Sequence, residues 1–251
     1  ARILVSGDDM LELLPFGTLV VGERPLALTS DIMRLRYDCN PPLGEEGRYT
    51  VVANPDIPTE LRRLHPGLVT LPGTELEGRE AAEHWPNVEL LTGRDATKAA
   101  VLDALSKATV FYSAAHVMQS AQAPFLKFMP LSGTAEGTIE DSMLGMGDVL
   151  ANDLSSCQLV VLTGCSSGTP YLTGTRLAPG FGDVFLDAGA RGAVQCLWRV
   201  DDRTMGPLME SIIVDYVPGE NLWELAGAIR RAKTKMYEES SEGLHPYYWG
   251  G

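Results

Sequence analysis

Apolar and polar positions along this chain keep two rhythms. Short apolar runs, most of them bounded by Gly, Pro, Asn or Asp, fall at 3–5, 26–29, 50–53, 88–91, 109–113, 159–163 and 193–198, and each reads as a strand. Three of these read as buried on both faces, as in a parallel sheet covered by helices. Between and after them lie stretches with helical character. Residues 78–85 and 96–105 predict helices, the second with Val101, Leu102 and Leu105 on one stripe and Asp95 or Thr97 as its cap. Two more are predicted at 202–216 and 221–236. The latter opens on Asn221, with Glu224 three residues on and Leu222, Leu225, Ala226, Ile229 and Met236 at helical spacing. Strands alternating with crossover helices predict an α/β fold built on a mainly parallel sheet. The stretches 40–47 and 164–182, broken by Pro and Gly, predict long loops.

Composition narrows the function classes. At 251 residues and 45% hydrophobic content the chain can bury a sizeable core. Twenty basic against thirty-three acidic residues give a net charge of −13, which opposes phosphate backbones and anionic lipid surfaces. Nucleic acid and membrane are therefore not expected as direct partners, and a cytoplasmic location follows from the lack of a signal-peptide layout and of a long apolar span. Cys39, Cys157, Cys165 and Cys196 show no CxxC spacing, so neither a zinc site nor a disulfide framework is expected, and no cofactor is called for.

Two of the apolar runs end on chemistry. The run 158–163 stops at Gly164-Cys165-Ser166-Ser167-Gly168, and the run TVFYSAAHV stops at His116, 49 residues upstream. That separation suits strand, crossover and parallel strand, so a thiol and an imidazole would emerge together at the ligand edge of the sheet. Such a pair is the minimum set for thiolate catalysis. GCSSG also fits G-x-S-x-G with Ser166 at its centre, and the hydrolase order could be completed by Asp215 and His245. An elbow of that kind turns directly into a helix, whereas Pro170, Gly174, Pro179 and Gly180 follow here. Cys165 with His116 is the stronger reading; Ser166, or no covalent catalysis at all, remain its alternatives. Cys157 and Cys196 read as small buried hydrophobes, His65 and His84 as surface residues, His245 as packing in the HPYYW cluster, and Asp201 and Asp202 as helix caps or substrate contacts.

Seven blocks in order carry a resemblance: GDDMLELLPFGTL (7–19), TVVANPD (50–56), LPGTELEGREA (71–81), the histidine block, the cysteine block, DAGARGAVQCLWRVDD (187–202) and HPYYWGG (245–251). Together they resemble the CHAT domain, a bacterial peptidase-like family of the caspase and separase group. GCSSG and the long loop after it are also similar to separase. The resemblance implies a caspase-like α/β/α sandwich over 1–251, with 1–90 as a degenerate N-terminal subregion and 91–251 as the catalytic part. It implies a cysteine endopeptidase acting on proteins through His116 and Cys165, with the N–H groups of Val117 and Cys165 as oxyanion donors. It implies regulation by a partner protein or by tandem helical repeats of a longer chain, from which this one is expected to be cut; the family continues past HPYYWGG into another apolar strand. Catalytically weak domains that only bind partners are the alternative, and Val117 bears on it. The family usually has glycine after the histidine, and a β-branched residue would be strained if that turn needed positive φ. The likeness to separase assigns Asp202 to a basic residue before the cleaved bond, with Trp198 as cleft wall or core filler.

Overall fold

The buried strands form because their residues are β-branched, aromatic and apolar on both sides, so only a sheet with helices on each face can satisfy them. The computed structural model describes residues 1–6, 13–34, 47–120, 123, 125–173, 176–216, 221–239 and 245–250. In chain order the first half holds β1 (Arg2–Val5), β2 (Val20–Val21), β3 (Arg24–Pro25), α1 (Leu26–Thr29), β4 (Asp31–Arg34), β5 (Tyr49–Pro55), α2 (Thr59–Leu64), α3 (Pro72–His84), β6 (Val88–Gly93), α4 (Lys98–Leu105) and β7 (Val110–Ala114). The second half holds β8 (Met118–Gln119), β9 (Lys127–Pro130), β10 (Met143–Gly145), α5 (Met146–Leu150), β11 (Leu159–Leu162), β12 (Tyr171–Thr173), β13 (Arg176–Ala178), α6 (Phe181–Asp187), β14 (Ala193–Gln195), α7 (Asp202–Asp215) and α8 (Leu222–Glu239).

Five of the strands make one parallel sheet in the order β14-β11-β7-β5-β6. Its two faces follow the period of two along each strand. Val52, Phe111, Val160 and Leu162 face α4, α5 and α6 through Val101, Leu105, Val149, Phe181 and Phe185. Val51, Val110, Tyr112 and Val161 face α3, α7 and α8 through Ala81, Leu208, Ile212, Leu225 and Ala228. The result is a three-layer α/β/α sandwich, as expected. Each large side chain taken from water in these layers contributes about 1.5–3 kcal/mol. β5 and β6, the latter spanning residue 90, share one sheet with β7, β11 and β14. A three-stranded antiparallel sheet, β10-β9-β8, follows directly on the end of β7. No helix of the described residues is long and apolar enough to cross a membrane.

The predicted caps hold. Thr97 accepts from the Ala100 N–H at 3.2 Å, and Asn221 from those of Trp223 and Glu224 at 2.9 and 3.2 Å. Three expectations need correction. The run 26–29 is the helix α1: Pro25 provides an extended entry, and Ala27 and Leu28 bury against Trp249. The strand predicted over 193–198 stops at Gln195, because the next three carbonyls turn toward the loop after β11. The loop predicted over 164–182 contains the β12–β13 hairpin and the start of α6, which Asp183 caps by accepting from the Gly180 N–H at 2.7 Å. The other predicted loop lies almost wholly outside the described residues.

Candidate active site

β7 and β11 run side by side in register, with Leu162 against Ser113 as the last pair, and Cys165 and His116 each lie three residues beyond it. The strand ends are in close contact. A Cβ on Gly164 would lie 2.5 Å from the Ala115 carbonyl oxygen and 2.7 Å from Val117 Cγ2, a distance only glycine allows. His116 and Cys165 are both half-buried at this edge. Nε2 of His116 lies 2.9 Å from the Val69 carbonyl oxygen. A carbonyl can only accept, so Nε2 is the donor in this contact. The Cys165 thiol donates weakly to the Val200 carbonyl at 3.8 Å.

Two backbone donors are free at this edge. Among the described residues, neither the Val117 N–H nor the Cys165 N–H has an acceptor in the chain. Val117 is not in the left-handed region, so the strain expected of a β-branched residue there does not arise; its side chain is 8% exposed and packs in the core under α4 to α6. Backbone strain sits instead at Ser166, with φ of 56°. Around Ser166 the loop is bonded at every turn. Its N–H donates to the Trp198 carbonyl at 3.0 Å, and the Gly168 N–H to the Cys196 carbonyl at 2.8 Å. Ser167 is fully buried, donating to the Leu162 carbonyl and accepting from the Cys196 N–H at 3.1 and 2.9 Å.

Sequence reasoning missed two charged residues at this site. Glu77 on α3 is 2% exposed and accepts from the Tyr112 hydroxyl and, at 3.0 Å, from Thr163 Oγ1. It thus pins β7 and β11 just below His116 and Cys165, while burial and the Glu77 charge hold the Tyr112 phenol neutral. Lys127 on β9 is also 2% exposed, and its ammonium donates to the carbonyls of Ser166 and Thr169. Burial pulls its pKa down to about 8, with Asp183 opposing. The readable signal for each was a charge on an otherwise apolar face, LEGREAA and KFMPL.

The other predicted residues are placed as follows. Trp198 does not simply fill core: its Nε1 donates to the Tyr247 carbonyl at 2.9 Å, joining the cysteine loop to the 245–250 segment. Asp202 opens α7, and its side chain lies outside the described residues. Asp201 accepts through its carbonyl from the Thr204 and Met205 N–H groups. His65 is not a free surface residue but packs edge-on to Phe128 at 5.4 Å. Cys157 and Cys196 are buried, and burial pushes both thiols up to about 12. A cavity of about 350 Å³ lies beside β14 against α7 and α8; neither His116 nor Cys165 lines it.

With the geometry in hand, comparison with known proteins is specific. The family model of the CHAT domain matches residues 1–251. Among solved structures the chain is similar to Saccharomyces cerevisiae separase in its complex with securin, at 15% identity and a TM-score of 0.52 over 81% of this chain and 12% of that one. It is also similar to the complex of the Porphyromonas gingivalis RgpB pro- and mature domains, at 10% identity and a TM-score of 0.48 over 80% of this chain and 46% of that one. The chain thus spans less than half of each of these neighbours. No curated protein matches it in sequence.

Proposed function

The chain belongs to the CHAT domain family, and on that premise we propose that it is a cysteine endopeptidase that cleaves proteins through His116 and Cys165. The observation that carries this reading is the pair of unpartnered N–H groups, Val117 and Cys165, at the strand edge that also bears the His116 imidazole, oriented there by the Val69 carbonyl. Catalysis would begin with transfer of the Cys165 proton to His116 Nδ1 and attack of the thiolate on the peptide carbonyl carbon. The two N–H groups receive the oxyanion, each donor contributing about 3 kcal/mol. His116 then passes its proton to the leaving amine, and water, deprotonated by His116, hydrolyses the thioester. Val69, by holding Nε2–H through its carbonyl, fixes the tautomer this sequence requires.

The left-handed backbone at Ser166 favours a second reading, since a serine at an elbow is strained in the same way. Against it, Ser166 is followed by a turn and a hairpin, with no helix among the described residues before Phe181. The cleaved bond is proposed to follow Arg or Lys, with the Asp202 carboxylate receiving the basic side chain. Regulation is assigned to a partner protein or to further domains; separase, held in a complex with securin, is a fold neighbour that assembles with another protein. A cytoplasmic site of action suits a thiol that must stay reduced.

The test is treatment with a peptide electrophile and mass spectrometry of the adduct. Label on Cys165, with activity lost in Cys165→Ala and His116→Ala and kept in Ser166→Ala, supports the cysteine reading. Label on Ser166, or cleavage by Cys165→Ala, sinks it. A substrate library unchanged by Asp202→Ala would remove Asp202 from specificity.

A further inference from the structure

Lys127 is a charged side chain that the proposed chemistry does not use. Burying an ammonium costs free energy unless each N–H finds an acceptor. Here two are found in one loop: Lys127 Nζ donates to the Ser166 carbonyl at 2.6 Å and to the Thr169 carbonyl at 2.5 Å, both charge-assisted. The Ser166 carbonyl belongs to the residue immediately after Cys165, and that residue carries the strained φ of 56°. The backbone of Lys127 leads the other way. β9 pairs antiparallel with β8, Lys127 against Gln119 and Phe128 against Met118, and Met118 follows Val117 directly. One residue therefore links the two strand ends, its main chain paired with Gln119, two residues past Val117, and its ammonium on the turn that bears the Cys165 N–H.

We propose that Lys127 is a positioning residue for the peptidase reaction, a strut that holds the cysteine turn at a fixed distance from the histidine turn so that the two backbone N–H groups converge on one oxyanion. This rests on the cysteine-peptidase reading. Without the strut the Ser166 carbonyl loses its charge-assisted donor and the turn, still tied through the Ser166 and Gly168 N–H groups, loosens, so the Cys165 N–H leaves its aim while the thiol itself stays in place. A displacement of about 1 Å in such a donor lowers turnover about a hundredfold. Substrate binding, which does not use the oxyanion donors, is little changed.

The experiment compares the wild-type chain with Lys127→Met, which keeps the apolar stem and removes the donors. Hydrogen exchange across 164–170 reads the strut without any turnover. Faster exchange in 164–170, with β5 unchanged, is the expected result. kcat should fall about a hundredfold with KM nearly unchanged. A peptide aldehyde, whose hemithioacetal oxyanion needs the same N–H pair, should lose affinity in parallel, while iodoacetamide alkylates Cys165 at the wild-type rate. Adding Ser166→Gly should recover part of kcat, because glycine takes positive φ without support. Unchanged exchange overturns the proposal whatever the activity, as does faster exchange with wild-type kcat. A wild-type chain with no Cys165-dependent turnover refutes the peptidase reading, and the exchange data still judge the strut. Should Lys127→Met not fold, Lys127→Gln, which keeps amide donors, takes the same measurements with a smaller loss, about tenfold. Failure of both variants to fold overturns positioning in favour of a structural role alone.

Discussion

Gly164→Ala puts the geometry of the site at risk with a single methyl group. The added carbon would stand 2.5 Å from the Ala115 carbonyl oxygen and 2.7 Å from Val117 Cγ2, where real methyl groups come no nearer than 3.0 Å. Neither neighbour is the loose end of a flexible side chain. Ala115 is backbone at the end of a buried strand, and Val117 is 8% exposed in the core. Relief must come from parting the ends of β7 and β11 by at least half an ångström, which moves His116 and Val117 away from Cys165. Overpacking of this size costs about 1–3 kcal/mol of stability, or a melting shift of about 2–12 °C for a chain of this length. The loss in kcat should be larger in proportion, about a hundredfold. The assay is steady-state cleavage of a peptide with thermal unfolding on the same samples, and Gly147→Ala, whose new methyl meets nothing within 4 Å, is the control. Wild-type kcat in Gly164→Ala would refute the claim that contact between the two strand ends aligns the site.

Removing the Glu77 carboxylate, as in Glu77→Ala, leaves the buried Tyr112 hydroxyl without its acceptor, while Thr163 Oγ1 keeps the Ser113 carbonyl, and should cost about 1–3 kcal/mol, read as a drop of several degrees in Tm. Val117→Gly should not raise kcat, since Val117 holds an ordinary backbone; it should lose about 2 kcal/mol of stability from the emptied core site, and a faster enzyme would reinstate the strained-turn account. The thiols of Cys157 and Cys196, pushed up to about 12, stay protonated through pH 9, so iodoacetamide on the folded chain at pH 8 should modify Cys165 and spare those two.

Local pattern made the central sheet legible because its strands are buried on both faces and their apolar runs have no competing explanation. The residues 110–114 and 159–162 could hardly be anything else, and the thiol and imidazole at their ends followed from the topology. What pattern could not supply were elements whose partners are remote. β4 exists by pairing in parallel with β1, across an intervening hairpin and helix, and LALT at 26–29 has the composition of a strand or a helix until Trp249 is known to cover it. Likewise 193–198 is apolar throughout, yet only three residues pair; the carbonyls of Cys196, Leu197 and Trp198 are taken by Gly168, Thr169 and Ser166, a loop thirty residues upstream.

The same distance between cause and position explains where the strain was misplaced. Val117 drew attention because its side chain is wrong for a left-handed turn, a rule that can be applied to one residue at a time. Ser166 carries the positive φ in fact, and nothing about serine in sequence announces it. Among what holds it there are the Trp198 carbonyl and a lysine 39 residues earlier in the chain, delivered by a hairpin that begins one residue after Val117. Local reading could name the atoms proposed to react, since those are read from residue type at a strand end. The atoms that hold them in place come from elsewhere in the chain, and a buried lysine among apolar neighbours is intelligible only once the two carbonyls it serves have been brought to it.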